Sequence, residues 1–486
     1  MIYNPTLDEV KLIFRENKWN MVPLYRDINI DLETPVTAFL KVATGPYSFL
    51  LESAEGGERQ ARYSFIGTEP YDILKTGPRT ELGAIDPLIP LQEKLSRYKS
   101  LAARDLPRFL GGAIGYLSYE TFRYYEPRVT SPEADPLGVP ESVLMFTDTM
   151  LVFDHVKHVI KLVSHVHLQD NVEMAYREAA DRIETMARRL ETDVMVSKES
   201  CIANYTQAEV SNFSKNEYID VVNRCKQYII AGDIIQVVPS RRIARNTYAD
   251  PFSIYQALRV LNPSPYMYFL KMDDFYIIGA SPETLVRVEE GFVYNYPLAG
   301  TVRRGVDPEE DARLEEKLRN DEKEMAEHIM LVDLGRNDVG KVSESGSVKV
   351  NDLARVVKYS HVMHLESEIE GKLRSDKTIF DALRSCMPAG TLSGAPKIRA
   401  MEIIAEVEHE KRGPYGAAVG YFGFQGNMDT AIPIRTIVMK NGVAYLQAGG
   451  GIVYDSDPES EWQETVNKMA APARAIVVAE ESQFSK

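Results

Sequence analysis

Apolar and polar residues alternate over short runs in the first third of the chain: YSFLL from Tyr47, RYSFIG from Arg62, GGAIGYLSY from Gly111, LMFTDTMLVF from Leu144 and HVIKLVSHV from His158. A period of two turns one face of each run toward a core, so these runs predict strands. EMAYREAADRIETMARRLE, at 173–191, changes period, and its apolar positions three and four apart predict an amphipathic helix. From 192 to 214 polar residues dominate without periodicity, which predicts a linker between an N-terminal region, 1–191, and a C-terminal region, 215–486. Beyond it, EYIDVVNRCKQYIIAGD predicts a helix and DIIQVVPSRRIA a strand, while YMYFLKM, FYIIGAS, TLVRVE and FVYNYPLAGT predict a meander. A long helix EKEMAEHIMLVDLGRND, further strands, the helix PKIRAMEIIAEVEH and a closing hairpin and helix complete the pattern. Strands and helices mix without βαβ alternation, so the expected class is α+β, antiparallel sheets with packed helices. GGAIGYLSYE (111–120) and GAAVGYFGFQ (416–425) echo one another. An internal duplication would explain the echo, and so would the common use of glycine with alternating apolar residues in strands.

Composition narrows the function classes. With 486 residues and a net charge of -15, and with no Lys/Arg-rich run to offset it, a nucleic-acid binder is not expected. No apolar run approaches the roughly 20 residues of a membrane span and the first residues lack a signal pattern, so a soluble cytoplasmic protein is expected. Cys201, Cys225 and Cys386 show no paired spacing and read as small core residues. His155, His158, His165 and His167 alternate along a predicted hairpin without a regular metal pattern and are expected at the surface.

Candidate chemistry lies in the C-terminal region. Glu324 and Glu327, and again Glu461 and Glu464, stand three apart on predicted helices, so each pair presents two carboxylates on one face. Four converging carboxylates call for a cation, and an all-oxygen set suits Mg²⁺. Lys468 follows Glu464 by one turn, and Gly449, Gly450 and Gly451 precede that helix, where glycine lets backbone N–H groups approach a carboxylate. The loop PAGTLSGAPK lacks the Gly-x-x-x-x-Gly-Lys-Ser/Thr spacing of a phosphate loop, which argues against an NTP-dependent transferase.

Ten segments in order resemble the chorismate-utilising enzymes, in particular their anthranilate synthase aminase branch: LLES (50–53), GDIIQVVPSRR (232–242), NPSPYMYFL (262–270), ASPETLV (280–286), PLAGTVRRG (297–305), EHIMLVDLGRND (327–338), VMHL (362–365), PAGTLSGAPKIRAMEII (388–404), DTAIPIR (429–435) and AGGGIVYDSDPESEWQET (448–465). The resemblance implies a large α/β sandwich of two sheets flanked by helices, with the site in a cleft. It implies a Mg²⁺-dependent conversion of chorismate and ammonia to anthranilate and pyruvate. Glu283 matches the family's acid, His364 a position beside the leaving hydroxyl, and Thr391 a residue that shapes the ring pocket. Gly300, Thr301, Tyr415, Arg435, the three glycines and Lys468 match substrate contacts, and the four glutamates match the metal ligands. Arg435, between apolar neighbours, is expected on a mostly buried strand. Glu52, Ser53, Pro265, Tyr266 and Met267, joined by Val453 and Tyr454, match a tryptophan feedback site. The pattern carries no amidotransferase segment, so the resemblance implies a separate glutamine amidotransferase subunit. Gln236 and Ala299 stand where isochorismate-forming and aminodeoxychorismate-forming relatives carry lysines, which favours anthranilate. Aminodeoxychorismate synthase is the nearest alternative, and a tryptophan-binding regulatory protein is the alternative outside catalysis.

Overall fold

The computed structural model describes every residue except 1–2, 30–32, 54–61, 102–105, 169–170, 194–208, 360–361 and 485–486. Two large antiparallel sheets dominate it. The first has eleven strands, in the order Met21–Asn29, Val159–His167, Thr149–Asp154, Tyr63–Thr68, Tyr47–Glu52, Tyr266–Met272, Phe275–Ser281, Thr436–Lys440, Val443–Gly449, Ser240–Asn246 and Glu209–Ser211. The second has ten, with Leu298–Arg303, Val362–Lys372, Phe292–Asn295, Thr284–Glu289, Met428–Ala431, Ala418–Gly423, Gly112–Leu117, Ser142–Thr147 and Asp72–Thr76 in line, and Lys349–Lys358 paired to Val362–Lys372.

Side-chain alternation places the three largest cores among the described residues around these sheets. Phe49, Tyr268, Ile277 and Val152 of the first sheet meet Ile114, Tyr116, Met145 and Val419 of the second between them. The outer face of the first sheet packs on the helices Pro35–Val42, Val172–Leu190, Pro251–Leu261 and Pro458–Phe484. The outer face of the second packs on Leu88–Leu95, Glu322–Gly340, Ile379–Cys386 and Lys397–Val407. The result is helix, sheet, sheet, helix, an α/β sandwich in which both regions of the chain share both sheets. Each buried Phe or Leu in these layers contributes about 1.5–3 kcal/mol.

The echo noted in the sequence has a structural counterpart. Gly112–Leu117 and Ala418–Gly423 pair directly, with Gly115 opposite Gly420, and form the seam of the second sheet. Tyr47–Glu52 and Tyr266–Met272 form the seam of the first. Outward from each seam the strands follow the same chain order on both sides. Phe49 lies across Gly67 on one side and Tyr268 across Gly279 on the other, each ring about where a glycine Cβ would sit, 2.2 Å from its nearest atom. The two halves are one topology repeated.

Three expectations need correction. DIIQVVPSRRIA is not one strand. Pro239, which has no N–H for a ladder, separates Gln236–Val237, paired to Gly394–Ala395, from Ser240–Asn246 in the first sheet. His165 is buried within its strand rather than at the surface, with Nδ1 3.1 Å from the Asp148 carbonyl. Arg435 is not on a strand, as described below. The described part of 192–214 holds the edge strand Glu209–Ser211 and the buried Phe213. Cys225 and Cys386 are buried and free, and Cys201 lies outside the described residues. Among the described residues no helix is long and apolar enough to cross a membrane.

Candidate active site

Glu283 stands where the chain leaves one sheet for the other. Phe275–Ser281 belongs to the first sheet and Thr284–Glu289 to the second. A return crossing, from Met428–Ala431 to Thr436–Lys440, carries Arg435. The two crossings lie side by side: the Ile432 amide donates to the Glu283 carbonyl at 3.1 Å, the Ser281 hydroxyl to the Ile432 carbonyl at 2.6 Å, and the Ala280 amide to the Arg435 carbonyl at 3.2 Å. Arg435 therefore sits in the bend ahead of its strand, at φ 52°, a left-handed conformation that costs a non-glycine residue about 1 kcal/mol or more. No carboxylate among the described residues pairs with its guanidinium, and burial, opposed by Tyr415, lowers its pKa.

One helical turn, Gly390–Ser393, set in the loop between Met387 and Lys397 and followed by the two-residue strand Gly394–Ala395, reaches the Glu283 crossing. Thr391 Oγ1 donates to Glu283 Oε1 at 3.1 Å. Burial pushes the Glu283 carboxyl up to about 8, against the lowering influence of Thr391 and of the Lys468 charge. A carboxyl that keeps its proton near neutral pH can serve as a general acid.

Two helices bring carboxylates to the same region. Asp321 caps Glu322–Gly340 by accepting from the amides of Lys323 and Glu324, and so sets Glu324 and Glu327 in the first turns. Glu461, Glu464 and Lys468 lie along Pro458–Phe484, where Lys468 Nζ pairs with Glu464 Oε1 at 2.6 Å and donates to the Gly449 carbonyl at 2.9 Å. Burial first, then neighbouring carboxylates, raise Glu324 and Glu461. Glu327 and Asp321 act on the former, and Glu464 acts on both. Glu461 Oε2 is buried without a hydrogen-bond partner. Among the described residues no three His, Cys, Asp or Glu side chains already enclose one point. An oxygen-only set with an orphaned buried oxygen, in which neighbouring carboxylates help raise Glu324 and Glu461, fits a hard divalent cation in donor chemistry.

Of the three glycines, Gly449 is demanded by close approach to backbone, a Cβ there lying 2.5 Å from the Pro239 carbonyl oxygen, while Gly450 and Gly451 face the ends of flexible side chains. A Cβ on Gly450 would lie 2.6 Å from Glu461 Oε2, and one on Gly451 2.5 Å from Gln236 Nε2. Gln236, which the sequence singles out only as a branch marker, thus stands in the site, 3.5 Å from Glu327 Oε1. Gly300 takes φ 64° beside Glu324. His364 Nδ1 lies 2.7 Å from the Gly300 carbonyl and 3.1 Å from Thr301 Oγ1, and burial lowers its pKa, as does Arg435 more weakly. Tyr415 is buried, its phenol pushed up by desolvation and opposed by Arg412 and the Gly449 backbone. Hydrogen bonds and longer-range charge effects together link Glu283, Thr391, Lys468, Tyr415, Arg435, His364 and the glycines.

The expected regulatory residues divide. Glu52, Ser53, Pro265, Tyr266 and Met267 line a separate cavity of about 1490 Å³ between the sheets. Glu52 is already engaged there, accepting from Tyr255 and, at 3.0 Å, from Arg259 Nε. Val453 and Tyr454 do not line that cavity; they follow the glycine triplet, with Tyr454 exposed.

The family model described as chorismate binding enzyme matches residues 47–474. The chain is 47% identical to anthranilate synthase component 1 of Acetivibrio thermocellus, over 99% of this chain and 100% of that one. It is similar in structure to anthranilate synthase component I of Streptococcus pneumoniae, with a TM-score of 0.76 at 36% identity over 92% of this chain and 98% of that one. The menaquinone-specific isochorismate synthase of Escherichia coli shares the fold, with a TM-score of 0.70 at 19% identity over 97% and 98% of the two chains.

Proposed function

The chain belongs to the chorismate binding enzymes, in their anthranilate synthase component 1 branch, and from that membership we propose how its residues convert chorismate and ammonia to anthranilate, pyruvate and water. The observation that carries the proposal is the buried Glu283, its pKa raised by burial and its carboxyl held by Thr391, on a chain crossing that runs beside the one carrying Arg435, for which no carboxylate partner exists among the described residues. Hydroxide is a poor leaving group, so Glu283 delivers its proton to the C4 hydroxyl as ammonia attacks C2 and water departs. Loss of the C2 proton and of the enolpyruvyl group as pyruvate then restores an aromatic ring. Arg435 and Tyr415, with the amides around Gly449 and Gly451, receive the enolpyruvyl carboxylate, for which arginine's planar fork is suited. Lys468 lies toward the ring carboxylate, and His364, fixed by the Gly300 carbonyl, holds a hydrogen bond near C4. Glu327 and Glu464, with Glu324 and Glu461, would hold Mg²⁺, which when bound neutralises and orients the ring carboxylate.

Gln236 cannot take a proton from water and Ala299 cannot form an adduct, which supports anthranilate over isochorismate or aminodeoxychorismate. The component 1 relationship supports a partner subunit, inferred here to be a glutamine amidotransferase that supplies ammonia. Tryptophan is the inferred inhibitor, its indole in the cavity beside Pro265, Tyr266 and Met267 and its amino group toward Glu52 and Ser53. Purified chain with chorismate, Mg²⁺ and excess ammonium is expected to yield anthranilate and pyruvate in equal amounts, identified by chromatography and mass, with none after chelation. Accumulated 4-amino-4-deoxychorismate would transfer the chain to the alternative branch.

A further inference from the structure

Arg412 lies beneath the site, 2% exposed and the bulkiest fully buried side chain among the described residues. No pattern in the sequence singles it out, and it touches neither the proposed acid nor the proposed metal ligands. Its guanidinium makes bonds in three directions. Nε and Nη2 donate to Glu408 Oε2 and Oε1 at 2.8 and 2.6 Å, Nη1 to the Leu392 carbonyl at 2.7 Å, and Nη2 to the Val238 carbonyl at 2.7 Å. Glu408 Oε1 also accepts from the Ser240 amide at 2.7 Å and hydroxyl at 3.0 Å. The guanidinium stands over the rings of Tyr119 and Tyr415, 4.6 and 5.7 Å from their centroids.

Those acceptors belong to the segments that build the site. Leu392 follows Thr391, which donates to Glu283. Val238 lies two residues after Gln236 and donates its own amide to the Ser393 carbonyl at 3.0 Å. A buried ion pair adds little net stability compared with apolar packing, so the physical gain here is geometric: one planar group satisfies both carbonyls and a carboxylate at once.

We propose that Arg412, oriented by Glu408, is a positioning residue that fixes the Gly390–Ser393 loop against the Gln236–Ser240 segment and so holds Thr391 on Glu283. The inference rests on the reading of Glu283 as the acid. Lysine at this position keeps the charge but offers no fork to reach both carbonyls. Loosening the loop weakens the Thr391 hydrogen bond, which stabilises the ionised carboxylate. Its loss raises the Glu283 pKa further and moves the basic limb of turnover to higher pH.

The control is Glu120→Gln. Glu120 is buried and accepts the Arg412 and Gly413 amides at 2.6 and 3.1 Å, so its loss weakens the same region without touching the fork. The full-length variants are compared in three ways: amide hydrogen exchange of residues 390–394, melting temperature, and ammonium-dependent turnover against pH. Arg412→Lys is expected to speed exchange in that loop, to lower kcat about tenfold or more with little change in KM, and to shift the basic limb upward by roughly half a unit to one unit. Glu120→Gln is expected to lower the melting temperature with the loop's exchange and the pH limb unchanged. If Arg412→Lys matches Glu120→Gln in all three readouts, or leaves loop exchange as in the parent chain, the proposal is overturned. Should Arg412→Lys fail to fold, Glu408→Gln loosens the same fork and is judged by the same comparison. Absence of turnover in the parent chain would defeat the acid assignment, while the exchange measurement would still decide the positioning role.

Discussion

In the first half of the chain the crossing between Tyr63–Thr68 and Asp72–Thr76 holds the place in the repeated topology that the Glu283 crossing holds in the second, and it too carries a glutamate, Glu69. Their surroundings are opposite. Glu69 is exposed and paired with Arg189 at 2.7 Å, which holds its carboxyl below the ordinary range, whereas burial lifts Glu283 to about 8. The return crossings differ in the same sense. Burial works against an ionised Asp148, yet His167 Nε2 at 2.7 Å and the Arg182 charge keep it lowered, while Arg435 has no carboxylate partner among the described residues. The aromatic side chain across a glycine, Phe49 on Gly67 and Tyr268 on Gly279, is common to both halves. Shared topology thus preserves the packing, and what lies over the crossing decides its chemistry. The Gly390–Ser393 loop reaches Glu283, and Glu69 faces solvent.

The comparison can be broken most directly by exchanging each acid for its amide. Glu283→Gln is expected to lower anthranilate formation by about 10²–10⁴-fold, the span of general-acid catalysis, while Glu69→Gln changes it less than about twofold. Comparable losses from both would mean that the halves are not chemically distinct. Next in size, Arg435→Ala should raise KM for chorismate by roughly ten- to a hundredfold, since a charged hydrogen bond contributes about 1.5–3 kcal/mol, without lowering the melting temperature, because it removes a buried cation that has no carboxylate partner among the described residues. Asp148→Asn should do the reverse, leaving KM unchanged and costing about 1–3 kcal/mol in urea unfolding by stripping His167 and Arg182 of their partner. The same two glutamates are also separated by stability against pH. The native chain keeps the Glu283 proton to about 8, so that contribution is complete below the ordinary glutamate value and is lost as pH rises through about 8. Glu69, with its pKa lowered, contributes above the ordinary value and loses that contribution in acid. Urea midpoints of Glu283→Gln should therefore fall less between pH 5 and 9 than those of the parent chain, a range set by roughly the ordinary and shifted glutamate values.

Much of this was legible in the chain. Alternation marked the strands, and the 173–191 period marked a helix observed at Val172–Leu190. Glu-x-x-Glu spacing put both carboxylate pairs on helices. Three features were hidden for physical reasons. Periodicity cannot show that Pro239 splits one apolar run between two pairings, because the partner strand lies more than 150 residues away. The apolar neighbours of Arg435 suit a strand, while its bend comes from hydrogen bonds to the neighbouring crossing. Arg412 was missed because a basic residue in a Gly-Pro-rich stretch ordinarily reads as solvated, and only the packed structure buries it.

The sequence by itself determined the residue types at the site, their order, the helical faces that pair the carboxylates and the membership in the chorismate binding enzymes. The tertiary structure alone decided that burial raises Glu283, that Arg435 has no carboxylate partner among the described residues, and that Val453 and Tyr454 stand apart from the cavity lined by Glu52 and Tyr266. Side-chain spacing is a local property of the chain. Desolvation and charge pairing are set by segments a hundred or more residues apart, and they exist only once the two sheets have closed on each other.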